Sequence, residues 1–105
     1  MPAAKPGEIW VVDLGMVAKV RPCLILTSQP RGDELDVFTV VAQTTACRGN
    51  RWEVSIAKPF LDSEGAFDVQ RIATVASVKL ERKLGELPRM ELDLILDRLT
   101  ERLGI

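Results

Sequence analysis

Apolar and polar positions along the first half of the chain alternate in the manner of β-strands. In GEIWVVDL, residues 7–14, both alternating sets are apolar, Trp10 with Val12 and Ile9 with Val11, which predicts a strand buried on two faces. The short connection GMVAKV leads to RPCLILTS, a second apolar strand, and the tight join predicts a hairpin. Pro22 has no backbone N–H, so it is expected at the first position of that strand or on a sheet edge. SQPRGDE is a turn cluster. LDVFTVVAQTT then sets Phe38, Val40, Ala42 and Thr44 on one face against Val37, Thr39, Val41 and Gln43 on the other. ACRGN turns the chain into RWEVSI, with Trp52, Val54 and Ile56 inward and Arg51, Glu53 and Ser55 outward.

AKPFLDSEG reads as a loop, and AFDVQRIATVASVKL, rich in β-branched residues, as two short strands. From Pro88 the period changes. Leu92, Ile95, Leu96, Leu99 and Leu103 share one helical face, with Glu91, Asp97, Arg98, Glu101 and Arg102 mostly elsewhere and Gly104 as a stop. The chain has 105 residues, which suits a single domain, 1–105. Its elements predict a mainly β fold with α: a small, strongly bent antiparallel sheet or barrel covered by a C-terminal amphipathic helix.

Composition narrows the chemistry. A 47% hydrophobic and 28% charged chain is expected to fold. No apolar stretch is long enough to span a bilayer and MPAAKPGE lacks a secretory pattern, so a cytoplasmic protein with no membrane contact is expected. The absence of histidine, together with two cysteines in no CxxC spacing, disfavours a metal site and most enzyme classes. Cys23 and Cys47 read as small apolar or incidental residues. No Gly-rich phosphate loop, HExxH or serine elbow occurs. The net charge of −1 removes a global polycation signature, yet Lys19, Arg21 and Arg31 run without an intervening acid and CRGNRW adds Arg48 and Arg51.

The polar residues at strand ends are the remaining candidates: Asp13, Lys19, Arg21, Gln43, Thr44, Thr45, Arg48, Arg51 and Gln70. Arg21 offers a planar fork of donors suited to a phosphate, and Thr44 a hydroxyl where a strand leaves the sheet. An arginine at a strand start is also a common surface residue, and a threonine pair before a turn is common β-propensity.

PGEIWVVDLG, KVRPCLIL, VVAQTTACRGNRWEVSI and GAFDVQRIATVASVKLERKLGEL, followed by a closing helix, resemble in order the successive signatures of the PemK/MazF family of bacterial toxins. The resemblance spans nearly the whole chain. It implies an SH3-like small barrel and a homodimeric, metal-independent endoribonuclease, an mRNA interferase that cuts single-stranded RNA at short sequences without a cofactor. It also implies a cognate antitoxin whose disordered acidic tail occupies the same groove as RNA. On this resemblance Arg21 and Thr44 become the catalytic pair. Lys19, Gln43, Thr45, Arg48, Arg51 and Gln70 become candidate RNA contacts, and Asp13 and Glu53 candidate acid or base. The chain departs from longer members in its first loop, where GMVAKV stands in place of a Gly-Ser-Glu-Gln type segment; Lys19 is the expected substitute phosphate contact. Two alternatives share the barrel: an inactive binding module, and a gyrase-binding toxin of the CcdB kind. The terminal LGI favours the latter, although Leu103 stands where those proteins carry an aromatic.

Overall fold

Two-sided burial organises the protein. In the computed structural model, which describes residues 3–15 and 19–105, the strands are β1 (Glu8–Asp13), β2 (Val20–Ile25), β3 (Val37–Thr44), β4 (Glu53–Val54), β5 (Ala66–Ala76) and β6 (Leu80–Glu86). A short 3-10 turn, Ser77–Lys79, joins β5 to β6, and the helix α1 (Arg89–Leu103) follows. They form one six-stranded sheet in the order β4-β5-β3-β2-β1-β6. Every pairing is antiparallel. The fold is thus mainly β with one C-terminal helix, and among the described residues no pairing joins the edge strands β4 and β6 to close a barrel.

Alternation sorts the side chains onto two apolar faces. Ile9, Leu24, Val41, Phe67 and Val69 form the first core with Leu92 and Ile95 of α1. Trp10, Val12, Cys23, Ile25, Phe38, Val40 and Ala42 form the second, closed by Leu80 and Ala4. Both alternating sets of β1 to β3 are therefore buried, as their unbroken apolar runs predict. The helix begins after Pro88 and ends at Gly104, whose φ of 74° lets its N–H bond back to the carbonyls of Thr100 and Glu101. Glu8 is a buried charge on the second face. Its Oε1 accepts from the Trp10 indole at 3.0 Å and from the Lys5 N–H at 3.1 Å, and Lys83 lies 3.0 Å from Oε2. Burial opposes its ionisation, but these donors outweigh burial and hold the carboxyl below its usual range.

Four sequence expectations change. RWEVSI pairs only at Glu53 and Val54, because a turn occupies residues 51–52 and the chain leaves the ladder after Val54, although Ile56 is buried as expected. AFDVQRIATVA is one long strand, bent where its register with β3 shifts between Val41 and Gln43. The segment 80–86 is a strand that charged side chains concealed, since β6 is an edge whose outward positions face water. Leu103, placed on the apolar helix face, is exposed. The GMVAKV connection falls largely on residues 16–18, outside the described residues.

Ile95 is fully buried while Leu94, its neighbour in sequence, is half exposed. Ile95→Ala is expected to cost about 2–5 kcal/mol of stability. Leu94→Ala is expected to stay within about 0.5 kcal/mol. Urea unfolding of both variants checks the contrast.

Candidate active site

β2 lies between β1 and β3, but its two ladders end at different points. The β1–β2 ladder continues through Val11↔Pro22 and Val12↔Arg21 to Asp13↔Val20, whereas the last β2–β3 pair is Cys23↔Ala42. Pro22 explains the difference, because it has no N–H to offer β3. Proline is therefore tolerated inside a central strand, not only at its start or on an edge as expected, since one of its sides is already unpaired. β3 meanwhile stays on β5 as far as Thr44↔Ala66. The sheet parts beyond Cys23, and the next same-face residues on the two diverging strands are Arg21 and Thr44.

A groove of about 380 Å³ opens on this face, walled by Leu14, Arg21, Ala42 and residues 71–75 of β5. Leu14, Ala73 and Val75 pack into the second core and make its floor apolar. Arg21 is half-buried at the wall, so its guanidinium acts where screening by water is reduced. Thr44 is only 1% exposed. Its Oγ1 accepts the Ala46 N–H at 3.1 Å, which fixes the oxygen and leaves the hydroxyl proton available to donate.

The other candidates divide. Arg48 and Gln70 share a polar depression of about 490 Å³ with Asn50, Asp68 and Arg71. Arg71 also walls the Arg21 groove and so joins the two. Thr45 is exposed in the turn after β3. Lys19, at a φ of 59°, closes the turn after β1: its N–H donates to the Gly15 carbonyl at 2.6 Å and its carbonyl accepts from Leu14 at 2.9 Å. Its side chain is exposed next to β2. Gln43 points to the opposite face. Its Nε2 donates to the Asp62 carbonyl at 3.1 Å, and it packs so closely on Gly65 that a Cβ there would lie 2.5 Å from it. Arg51 turns toward α1, bonded to Glu101 at 3.2 Å and stacked 4.1 Å from the centroid of the Trp52 ring. The structure thus puts Arg21 on the groove and Arg48 and Gln70 in the adjoining depression, keeps Thr44 buried on the same face of β3, and sets Gln43 and Arg51 apart.

Neither carboxylate considered as acid or base lines the groove. Asp13 accepts the Gly15 N–H at 2.9 Å and lies 4.0 Å from Lys79. Glu53 accepts the N–H groups of Arg48 at 2.9 Å, Gly49 at 2.7 Å and Asn50 at 3.3 Å. The Arg48 N–H first, then those of Gly49 and Asn50, hold the Glu53 carboxyl below the usual range and make it a loop anchor. Burial pushes the Cys23 thiol up to about 12, against the opposing charge of Arg21, so Cys23 is a neutral packing residue.

Sequence reasoning passed over Arg71 and Asp68. Asp68 and Gln70 keep the alternation of β5 and Arg71 breaks it, a polar cluster in an otherwise apolar strand that marks an irregular ladder. Asp68 is 6% exposed, pairs with Arg71 at 3.4 Å and accepts the Gln70 N–H at 2.9 Å.

The groove sets the Arg21 guanidinium and that of Arg71 at the split between β2 and β3. Residues 5–103 match the family model of the PemK-like, MazF-like toxin of type II toxin-antitoxin systems, and the chain belongs to that family. Among solved structures it is similar to a mycobacterial endoribonuclease in complex with its cognate antitoxin, with 25% identity, a TM-score of 0.81, and 98% of this chain and 97% of that one covered. It is also similar to MazE-MazF (Form-II) from Deinococcus radiodurans, at 17% identity and a TM-score of 0.80 over 100% and 99% of the chains. The Mycobacterium tuberculosis toxin MazF-mt6 follows at 23% identity and a TM-score of 0.72 over 93% and 97%. No curated protein is significantly similar to the chain in sequence.

Because the folded Glu53 carboxyl holds its proton less tightly than an unfolded one, its stabilisation is complete above the ordinary carboxylate range and is lost as pH falls through the lower, folded value. Glu53→Gln is therefore expected to lower the thermal midpoint at neutral pH. That difference is expected to shrink as acid is added, and one that stays constant into strong acid contradicts the assignment.

Proposed function

We propose that this chain is a toxin endoribonuclease that cleaves single-stranded RNA without a metal ion. The observation that carries the reading is the position of Arg21 and Thr44 as the next same-face residues beyond the split between β2 and β3, in a chain whose family and solved relatives are MazF-like. The ribose 2′-OH attacks the adjacent phosphorus, the bond to the 5′ oxygen breaks, and the products are a 2′,3′-cyclic phosphate and a 5′-OH. Negative charge grows on the nonbridging oxygens, where the guanidinium of Arg21 and the hydroxyl of Thr44 donate. Arg21 serves as an electrostatic donor, its guanidinium offering N–H groups and no acceptor. With Asp13 and Glu53 both engaged in turns, water takes the 2′-OH proton and supplies one to the leaving oxygen. The chain has no histidine, and no group of three or more Cys, Asp or Glu side chains among the described residues is arranged to hold a metal, so the donors invoked are organic ones.

Several finer readings follow. The bent sheet is read as an SH3-like barrel whose edges meet through side-chain packing. Arg21, Arg48 and Arg71 line one continuous cationic surface, which suits the acidic tail of a cognate antitoxin as well as RNA. A homodimer is supported by exposed large apolar side chains such as Leu35, Val78 and Met90. The gyrase reading rests on the exposed Ile105 after Gly104, and gyrase inhibition without RNA cleavage would favour it.

Incubation of the protein with long single-stranded RNA and a chelator is expected to yield defined fragments with 5′-OH ends. Arg21→Ala and Thr44→Val are each expected to lower the rate about 100-fold to 1000-fold, while Thr44→Ser retains most of it. Undiminished cleavage by both Arg21→Ala and Thr44→Val would overturn the site.

A further inference from the structure

The irregular stretch of β5 places a second polar site beside the groove. Between Val41 and Gln43, β3 advances two residues while its partners run from Ile72 back to Phe67. Residues 68–71 are thereby released from the β3 ladder. A bulge of this kind re-aims side chains. Here it puts Asp68, Gln70 and Arg71 into one depression with Arg48 and Asn50, contiguous with the Arg21 groove through Arg71 itself.

The internal contacts show what this depression is built to hold. Asp68 is nearly buried, anchored by the Gln70 N–H and paired with Nε of Arg71. That pairing orients the guanidinium from its inner side, and its terminal amines form the donor fork that a flat ligand edge would meet. Gln70 is held in turn by the Asn50 side chain, whose Nδ2 lies 3.4 Å from its Oε1. An oriented arginine with amide neighbours differs from a loose cation, because the fork requires two acceptors side by side. On an unpaired RNA base only guanine, through O6 and N7, and cytosine, through O2 and N3, present two adjacent acceptors on one edge. Adenine and uracil interleave donors with acceptors.

Resting on the endoribonuclease reading, we propose that this depression is a base-reading subsite next to the scissile phosphate. In it Arg71 selects a guanine or cytosine over adenine and uracil at one position of the RNA. Arg21 and Thr44 act on the phosphate whatever the sequence, and Arg71 sets which phosphate is presented to them.

The test maps cut sites on an RNA pool randomised at each position, for the wild type, Arg71→Ala and Arg71→Lys, with Arg21→Ala as the inactive control. In parallel, binding of 2′-O-methyl oligonucleotides differing in a single base is measured by anisotropy. The wild type is expected to show one position enriched in G or C, the map itself telling which. Arg71→Ala and Arg71→Lys are expected to flatten that position about tenfold, with the rest of the pattern kept. Restoration of the preference by lysine would mean a phosphate contact and overturn the proposal, as would an unchanged pattern in Arg71→Ala. If no protein cuts but the wild type binds G- or C-containing oligonucleotides with a preference lost in Arg71→Ala, the nuclease reading fails while the base-reading site stands. Absence of any base preference in binding and cleavage alike overturns the subsite.

Discussion

One missing hydrogen-bond donor shapes the site. Pro22 has no N–H toward β3, so the two central strands separate after Cys23↔Ala42 while each keeps its outer partner. Without that separation, Arg21 and Thr44 would be an ordinary cross-strand pair in a closed ladder with no space between them. With it, a groove opens at the boundary of a well-packed core. Its walls are as rigid as the strands that supply them, and rigid donors cost least to hold ready for developing charge.

The two cores make the opening affordable. Leu24 and Val41 anchor β2 and β3 on the helix side, and Cys23, Ile25, Val40 and Ala42 anchor them on the other. The strands diverge only where this double packing ends. Residues that do not face the groove stabilise its surroundings: Gln43 ties β3 to the turn at Asp62, Glu53 gathers the N–H groups of residues 48–50, and Trp52 is stacked by Arg51. The bulged part of β5 adds a second device, since the same departure from the ladder that bends the strand also brings Arg71 to the groove wall.

Much of this was legible in the residues where a local rule and the fold agree. The doubly apolar runs of β1 to β3 correspond to strands buried on both faces, and the spacing of Leu92 and Ile95 up to Gly104 corresponds to a packed helix with a left-handed end. Arg21 and Thr44 were picked out by their motifs, and alternation puts them on one face. β6 was not legible, because an edge strand keeps charges at its outward positions and loses the alternation that signals a strand. The continuity of β5 was not legible either: its alternation slips at Arg71, where the chain bulges and continues as one strand.

The pattern of side chains by itself determined the class of elements, the two buried faces, the terminal helix and which strand-end side chains carry donors of the kind a phosphate accepts. These follow from periodicity, φ/ψ preference and functional-group chemistry, all of which are local. Tertiary structure alone decided that Gln43 and Arg51 turn away from the groove while Arg48 and Gln70 approach it, and that Arg71 joins the two depressions. Those outcomes depend on strand register and on where a ladder breaks. Register is settled by pairing between segments distant in sequence, and shifting it by one residue moves a side chain to the opposite face.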